Sequence, residues 1–178
     1  MTLDGLSPEF RPKVETLLAR CAQAGHPVRA YCTVRDPFEQ ARLWRQSRSR
    51  EQIAGAVEQL RESGAHRIAA CIIAAGPQNG RRVTNAMPGF SWHQYGEAVD
   101  CFVLAGGRAE WDAEHPGYAN YAAIAEELGL KAGRDFGDSP HVQLRHAEPH
   151  HLHDFSRLDN MLAARFPRFA ALEAKGAK

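Results

Sequence analysis

Two short blocks hold the residues best suited to chemistry. Residues 91–100 read Ser-Trp-His-Gln-Tyr-Gly-Glu-Ala-Val-Asp, and residues 138–141 read Asp-Ser-Pro-His. Between them, His93, Asp100 and His141 offer two imidazoles and one carboxylate. Three protein ligands of this kind leave one corner of a tetrahedral zinc open to water, as in catalytic rather than structural sites. Asp138 stands beside the third ligand as a candidate general base. A Lewis acid, an activated water and a proton acceptor are the parts that hydrolysis needs. The expectation is one zinc per chain.

The first block resembles the Ser-x-His-x-x-Gly-x-Ala-x-Asp signature of the zinc D-Ala-D-Ala carboxypeptidase / L-alanyl-D-glutamate endopeptidase family. The second is similar to that family's Asp-x-Pro-His block. Upstream, Tyr-Cys-Thr-Val-Arg-Asp-Pro-Phe-Glu-Gln-Ala-Arg-Leu-Trp (residues 31–44) is similar to its Arg-(few)-Gln-x-x-Leu segment. Order and rough spacing agree over about residues 5–145. The likeness is stronger to the endopeptidase branch, which includes phage endolysins and cell-wall remodelling enzymes.

The resemblance implies an α+β fold of the hedgehog/D-Ala-D-Ala peptidase-like kind, with a small central antiparallel sheet carrying the zinc site between flanking helices. It implies His93, Asp100 and His141 as zinc ligands, Asp138 as base, and Arg35 as the group that binds the substrate carbonyl or carboxylate and steadies the oxyanion. The implied substrate is a peptidoglycan stem peptide, cut first of all at the L-Ala–D-Glu bond. The alternatives are a D-Ala-D-Ala carboxypeptidase or dipeptidase, and a non-catalytic zinc-binding module on the same scaffold. Two departures stand near the expected substrate position. Lys131-Ala132-Gly133 replaces a usual tryptophan-glycine pair, and the stretch between about residues 48 and 80 is longer than the pattern requires.

Several residues have a plainer rival role. Asp138 is also a common turn residue, and Asp135 is its obvious substitute as base. Arg35 has Asp36 and Glu39 nearby as simple ion partners. Gln40 either lines the pocket or packs on its own helix. Ser91 is a cap or a hydrogen-bond partner of a ligand. Trp92 is retained as a substrate-cleft wall, whereas Trp44 and Trp111 read as core or rim. His146, His150, His151 and His153 form a histidine-rich tract, read as an exposed loop because Pro149 interrupts any helix aligning them.

The elements that must position these groups follow from periodicity. Phe10, Val14, Leu17, Leu18 and Cys21 have helical spacing. Residues 28–34 alternate like a strand. Asp36-Pro37 opens a helix, 50–63 reads as another, and 68–75 is ambiguous between helix and strand. Residues 97–104 read as a strand in which Asp100 shares a face with Ala98 and Phe102 while Val99, Cys101 and Val103 face the core. Gly96 lets the chain turn between His93 and that strand. In 141–145, His141 shares a face with Gln143 and Arg145. A helix is expected at about 118–129, and a C-terminal helix at about 155–175, bent at Pro167.

Composition bounds the rest. The 178 residues carry 44% hydrophobic and 24% charged side chains, which suits one soluble domain over 1–178. A net charge of +1 gives no field toward nucleic acid, and no stretch approaches a membrane span. Arg42, Arg45, Arg48 and Arg50 form a local basic run, either a solvated helix face or a contact to anionic wall polymer. Four cysteines lack any Cys-x-x-Cys spacing. The N-terminus lacks a signal-peptide pattern. A cytoplasmic monomer that meets the wall after release or export is therefore expected.

Overall fold

The computed structural model describes residues 3–172. In chain order the elements are α1 (Phe10–Gln23), β1 (Val28–Cys32), α2 (Pro37–Arg45), α3 (Arg50–Glu62), α4 (His66–Ala74), β2 (Ala98–Ala105) and β3 (Arg108–Glu110). There follow α5 (Pro116–Glu127), β4 (Lys131–Ala132), β5 (His141–Gln143), α6 (Pro149–Leu152), α7 (Phe155–Arg165) and α8 (Pro167–Ala170). This mix of helices and an antiparallel sheet is the expected α+β class. Contacts divide the chain into two compact units, Met1–Val34 with Tyr95–His146, and Arg35–Gln94 with Ala147–Lys178.

The first unit holds the sheet. Its strand order is β1-β2-β5-β4, with β3 also on β2, and every pairing is antiparallel. Val99, Cys101 and Val103 project from β2 into a core completed by Phe10, Val14, Leu17 and Cys21 of α1 and by Tyr118, Tyr121 and Ala125 of α5. Val142 of β5 joins the same core. The period-two alternation thus sends Asp100 and His141 to the other face. Each large apolar side chain fully buried here stabilises by roughly 1.5–3 kcal/mol, which pins the register of β2.

The second unit is helical. Residues 68–75, ambiguous by pattern, form most of α4, whose Ile68, Ala69, Cys71 and Ile72 are all buried. Its first turn cannot be capped locally, because Ala65 at the N-cap position has no acceptor. Asp159 of α7 does this instead, accepting the Ile68 N–H at 2.7 Å and pairing with Arg67 at 2.6 Å. Burial raises the Asp159 carboxyl above its ordinary value, against the lowering effect of those partners. The long stretch between 48 and 80 therefore supplies α3 and α4, part of this unit's scaffold. The basic run is partly absorbed as well. Arg45 donates to the Ile72 carbonyl at 2.8 Å, and Arg48 donates to the Thr84 carbonyl at 2.9 Å while lying 4.3 Å over the Trp44 ring. Arg42 and Arg50 remain exposed.

The expected C-terminal helix is interrupted rather than bent. Phe166 is extended (φ −121°, ψ 99°) between α7 and α8, because the proline that follows disfavours helical geometry before it. The end of the expected span, residues 173–175, lies outside the described residues. Among the described residues no helix is long and apolar enough to cross a membrane.

Candidate active site

On the sheet of the first unit, Asp100 and His141 are directly paired across β2 and β5. Both are buried, and His141 Nδ1 lies 2.9 Å from Asp100 Oδ1. The other ring nitrogen, Nε2, lies 3.0 Å from Gln143 Oε1. The Gln143 amide has its orientation fixed, since its Nε2 donates to the Arg145 carbonyl at 2.6 Å. Gln143 therefore presents its oxygen to His141, and His141 Nε2 must carry the ring proton. In the neutral imidazole Nδ1 is then a bare lone pair facing a carboxylate. Two acceptors at this distance require a cation between them, either a second ring proton or a metal. The donor set, an imidazole nitrogen and a carboxylate oxygen with the opposite ring nitrogen hydrogen-bonded, fits zinc.

The loop before β5 is tightly packed. A Cβ on Gly133 would stand 2.3 Å from the Asp138 carbonyl oxygen and 2.7 Å from His141 Cβ, so only glycine fits there. The Asp138 N–H donates to the Gly133 carbonyl at 2.9 Å, and the Asp138 carbonyl accepts the His141 N–H at 3.0 Å. Pro140 joins in, its carbonyl accepting the Cys101 N–H at 2.9 Å. Asp138 is exposed on this turn, with its backbone tied to His141. Asp135 is also exposed, one turn earlier, within the short 3-10 helix Gly133–Phe136.

The second unit holds the other expected residues. His93 is 2% exposed in the 3-10 turn Trp92–Tyr95, and its carbonyl accepts the Arg35 N–H at 3.3 Å. Arg35 immediately precedes the capping Asp36, whose side chain accepts the Phe38 N–H at 2.8 Å. The Arg35 guanidinium donates to Gln40 Oε1 at 3.1 Å. Gln40 is fully buried, and its Nε2 donates to the Ala86 carbonyl at 2.7 Å. Gln40 thus neither lines a surface nor merely packs on its helix; it holds Arg35. The Ser91 carbonyl opens the turn by accepting the Gln94 N–H at 3.1 Å. Trp92 is 4% exposed and donates its indole N–H to the Ala147 carbonyl at 2.8 Å, so its ring is packed into the interior. Just after this turn, Gly96 has φ +70°, a conformation that favours glycine and leads the chain into β2.

The histidine tract is not the exposed loop expected from its sequence. Pro149 starts α6 instead of ending a helix, the place where its missing N–H costs nothing. His150 stacks on Phe90 (ring centroids 4.6 Å apart), and burial lowers its pKa. His146 and His151 are exposed. Among the described residues the tract assembles no set of three metal-ligating atoms.

Motif reading missed two neighbours of Asp100 and His141, namely Cys32 and Gln143. Gln143 had a visible signal, its place two residues from His141 on one strand face. Cys32 had none, because a bulge in β1 decides which way it points.

The sequence profile of the D-alanyl-D-alanine carboxypeptidase family VanY matches residues 4–132, a span that includes Arg35, His93 and Asp100 and ends before Asp138. A comparison with curated protein sequences gave no match. Among solved structures, the chain is similar to the L-Ala D-Glu endopeptidase ChiX of Serratia marcescens, with 21% identity, TM-score 0.46, and 80% of this chain and 83% of that one covered. It is also similar to a mutant of the vancomycin-resistance D,D-pentapeptidase VanY from a VanB-type cassette, in complex with Zn(II), with 17% identity, TM-score 0.46, and 78% and 71% covered. With most of its length inside the family match, the chain belongs to the VanY D-alanyl-D-alanine carboxypeptidase family and is a peptidase.

Proposed function

We propose that this chain is a zinc metallopeptidase that hydrolyses peptidoglycan stem peptides, with the L-Ala–D-Glu bond as its first target. The observation that carries the reading is the line Gln143–His141–Asp100, which sets an imidazole nitrogen 2.9 Å from a buried carboxylate oxygen with the opposite ring nitrogen held by Gln143. His93, Asp100 and His141 hold one zinc. The reading takes residues 1–178 as one catalytic domain.

When bound, the zinc supplies Lewis-acid polarisation of the scissile carbonyl and lowers the pKa of its water to about 7. The remaining work falls to side chains. Asp138 takes the proton from the attacking water and returns it to the leaving amine. Arg35, steadied by Gln40, stabilises the oxyanion that develops on the substrate carbonyl. Gln143 keeps the ring proton of His141 on Nε2, so that Nδ1 stays a donor atom. The partner is the stem peptide, met after release or export, and the working unit is a monomer.

The family match favours one second reading, removal of a terminal D-alanine. Mass spectrometry of products from purified peptidoglycan separates the two. New N-terminal D-Glu on the stem peptides supports the endopeptidase. Free D-alanine from pentapeptide stems alone supports the carboxypeptidase. No product from either bond leaves a binding module.

A further inference from the structure

We infer that Tyr31, Phe102 and Trp111 form a subsite for the sugar that carries the stem peptide, an N-acylated hexosamine ring packed on the exposed faces of Tyr31 and Trp111. This rests on reading Asp100 and His141 as the place of hydrolysis and the L-Ala–D-Glu bond as the one cut. Phe102 follows Asp100 by two residues on β2, so both project from the same face of the sheet. Tyr31 of β1 stacks on Phe102, with ring centroids 6.2 Å apart. Trp111 meets both rings, at 5.2 Å from Tyr31 and 5.4 Å from Phe102. Phe102 is half-buried, whereas Tyr31 is 37% and Trp111 56% exposed.

The cluster is fixed by the backbone that carries it. Trp111 directly follows β3, where the Glu110 side chain accepts the N–H groups of Trp111 and Asp112, each at 2.8 Å. The Glu110 carbonyl accepts the hydroxyl of Tyr118 from α5 at 2.9 Å. Both sides of Glu110 are thus tied down, and the turn that presents Trp111 with them. Rings grouped, ordered and left open to solvent beside a site mark a binding surface, unlike single hydrophobes scattered over a protein.

Reach and chemistry select the occupant. A strand advances about 3.3 Å per residue, so Phe102 lies roughly 7 Å beyond Asp100. In the substrate, L-Ala is joined through a lactyl arm to the sugar. The sugar therefore stands one residue and one arm from the L-Ala–D-Glu bond, also about 7 Å when extended. A bond at the D-alanine end of the stem would leave the sugar three residues, roughly 10 Å, farther away. A pyranose has an apolar C–H face and a polar rim. Tyrosine and tryptophan match it with an apolar ring and one polar tip each. Arg29, exposed and paired with Phe102 across β1 and β2, adds N–H donors for acetamido and hydroxyl oxygens.

The test uses the full chain and two forms of one stem tetrapeptide, its L-Ala nitrogen carrying either an N-acetylmuramoyl or a plain acetyl group. Parent, Trp111→Ala and Trp111→Phe are compared, with circular dichroism as the check on folding. The parent should prefer the muramoyl form in kcat/KM by about tenfold or more, the scale for covering one large apolar side chain. That preference should collapse in Trp111→Ala and be largely kept in Trp111→Phe, which retains a ring. Equal losses on both substrates in Trp111→Ala overturn the subsite, because they report a peptide contact or the fold. In parallel, saturation-transfer NMR with a peptide-free glycan oligosaccharide reads binding without turnover. Transfer to the sugar in the parent, lost in Trp111→Ala, supports the subsite. No transfer in the parent, or transfer that survives in Trp111→Ala, overturns it and leaves peptide cleavage standing. The expected transfer with neither peptide form cut overturns the cleavage reading instead, and the sugar site stands. A parent that sediments as a dimer, made monomeric by Trp111→Ala, assigns the cluster to a second copy and overturns the sugar role.

Discussion

His141 Nε2 faces Gln143 Oε1 at 3.0 Å, and Gln143 is itself held by the Arg145 carbonyl, so a chain of two hydrogen bonds sets the tautomer of the imidazole beside Asp100. Gln40 plays the same part for Arg35 in the second unit, with Ala86 as its anchor. In both cases a buried amide, bound on its nitrogen side by a backbone carbonyl, turns its oxygen toward a group expected to do chemistry.

Replacing Gln143 tests the first of these chains. Gln143→Leu removes the acceptor for His141 Nε2–H and should weaken zinc binding by about 10- to 100-fold, the usual effect of losing a partner of a metal-ligating histidine. Gln143→Glu keeps an acceptor and should stay within about tenfold of the parent. Chelator competition measures both. Equal affinities in all three proteins would remove Gln143 from the metal site.

Replacing Arg35 and Gln40 tests the second. Arg35→Ala should lower kcat by about 10²–10³-fold, the scale for one oxyanion donor, with a smaller change in KM. Gln40→Leu should fall between parent and Arg35→Ala, because the guanidinium remains but loses its guide. A change confined to KM would instead make Arg35 a ground-state binding group.

Gly133→Ala should be disproportionately damaging. The added methyl would meet a backbone carbonyl at 2.3 Å, and that carbonyl belongs to Asp138, so relief requires moving the turn that carries it. We expect a loss of about 1–3 kcal/mol of stability, as for other overpacked sites, measured by urea unfolding. Turnover should fall further than stability alone explains. A fully stable, fully active variant would show that this turn is slack.

Much of the first unit was legible because its periodicity is simple. Val99, Cys101 and Val103 alternate with Asp100, and the strand they imply is the strand observed. The bulge at Tyr31 was not legible, since no glycine or proline marks it and only pairing with β2 reveals it. The α4 segment is buried on most sides, and the cap that settles it as a helix comes from Asp159, 91 residues away from its partner Ile68. At the site, the motif residues could be named from spacing. The roles of Gln40 and Gln143 could not, because a glutamine has no characteristic neighbour in sequence and its function here is set by carbonyls at Ala86 and Arg145.

The cysteines give a prediction tied to pH. Burial raises the Cys21 thiol to about 11 and those of Cys71 and Cys101 to about 12. At about pH 8, near the pKa of an ordinary thiol, these three are protonated and enclosed, hence unreactive. In metal-free native protein a chromogenic disulfide should titrate one thiol quickly, Cys32, and all four only in denaturant. Raising the pH should bring in the buried three only on approach to their raised values. Rapid reaction of a second thiol near pH 8 would contradict the packing around α1, α4 or β2.

A zinc held by His93, Asp100 and His141 is the centre of the proposed mechanism, and elemental analysis of protein purified without added metal tests this most directly. Parent, His93→Ala/His141→Ala and Asp138→Ala would be compared, with circular dichroism as the check on folding. The expected result is one zinc per chain in the parent, almost none in the double variant, and parental zinc in Asp138→Ala together with a loss of roughly 10²–10⁴ in turnover on stem peptides. Stoichiometric zinc persisting in the folded double variant would contradict it and move the metal to the histidine tract around His150. Loss of zinc from Asp138→Ala would make that residue a ligand rather than the base.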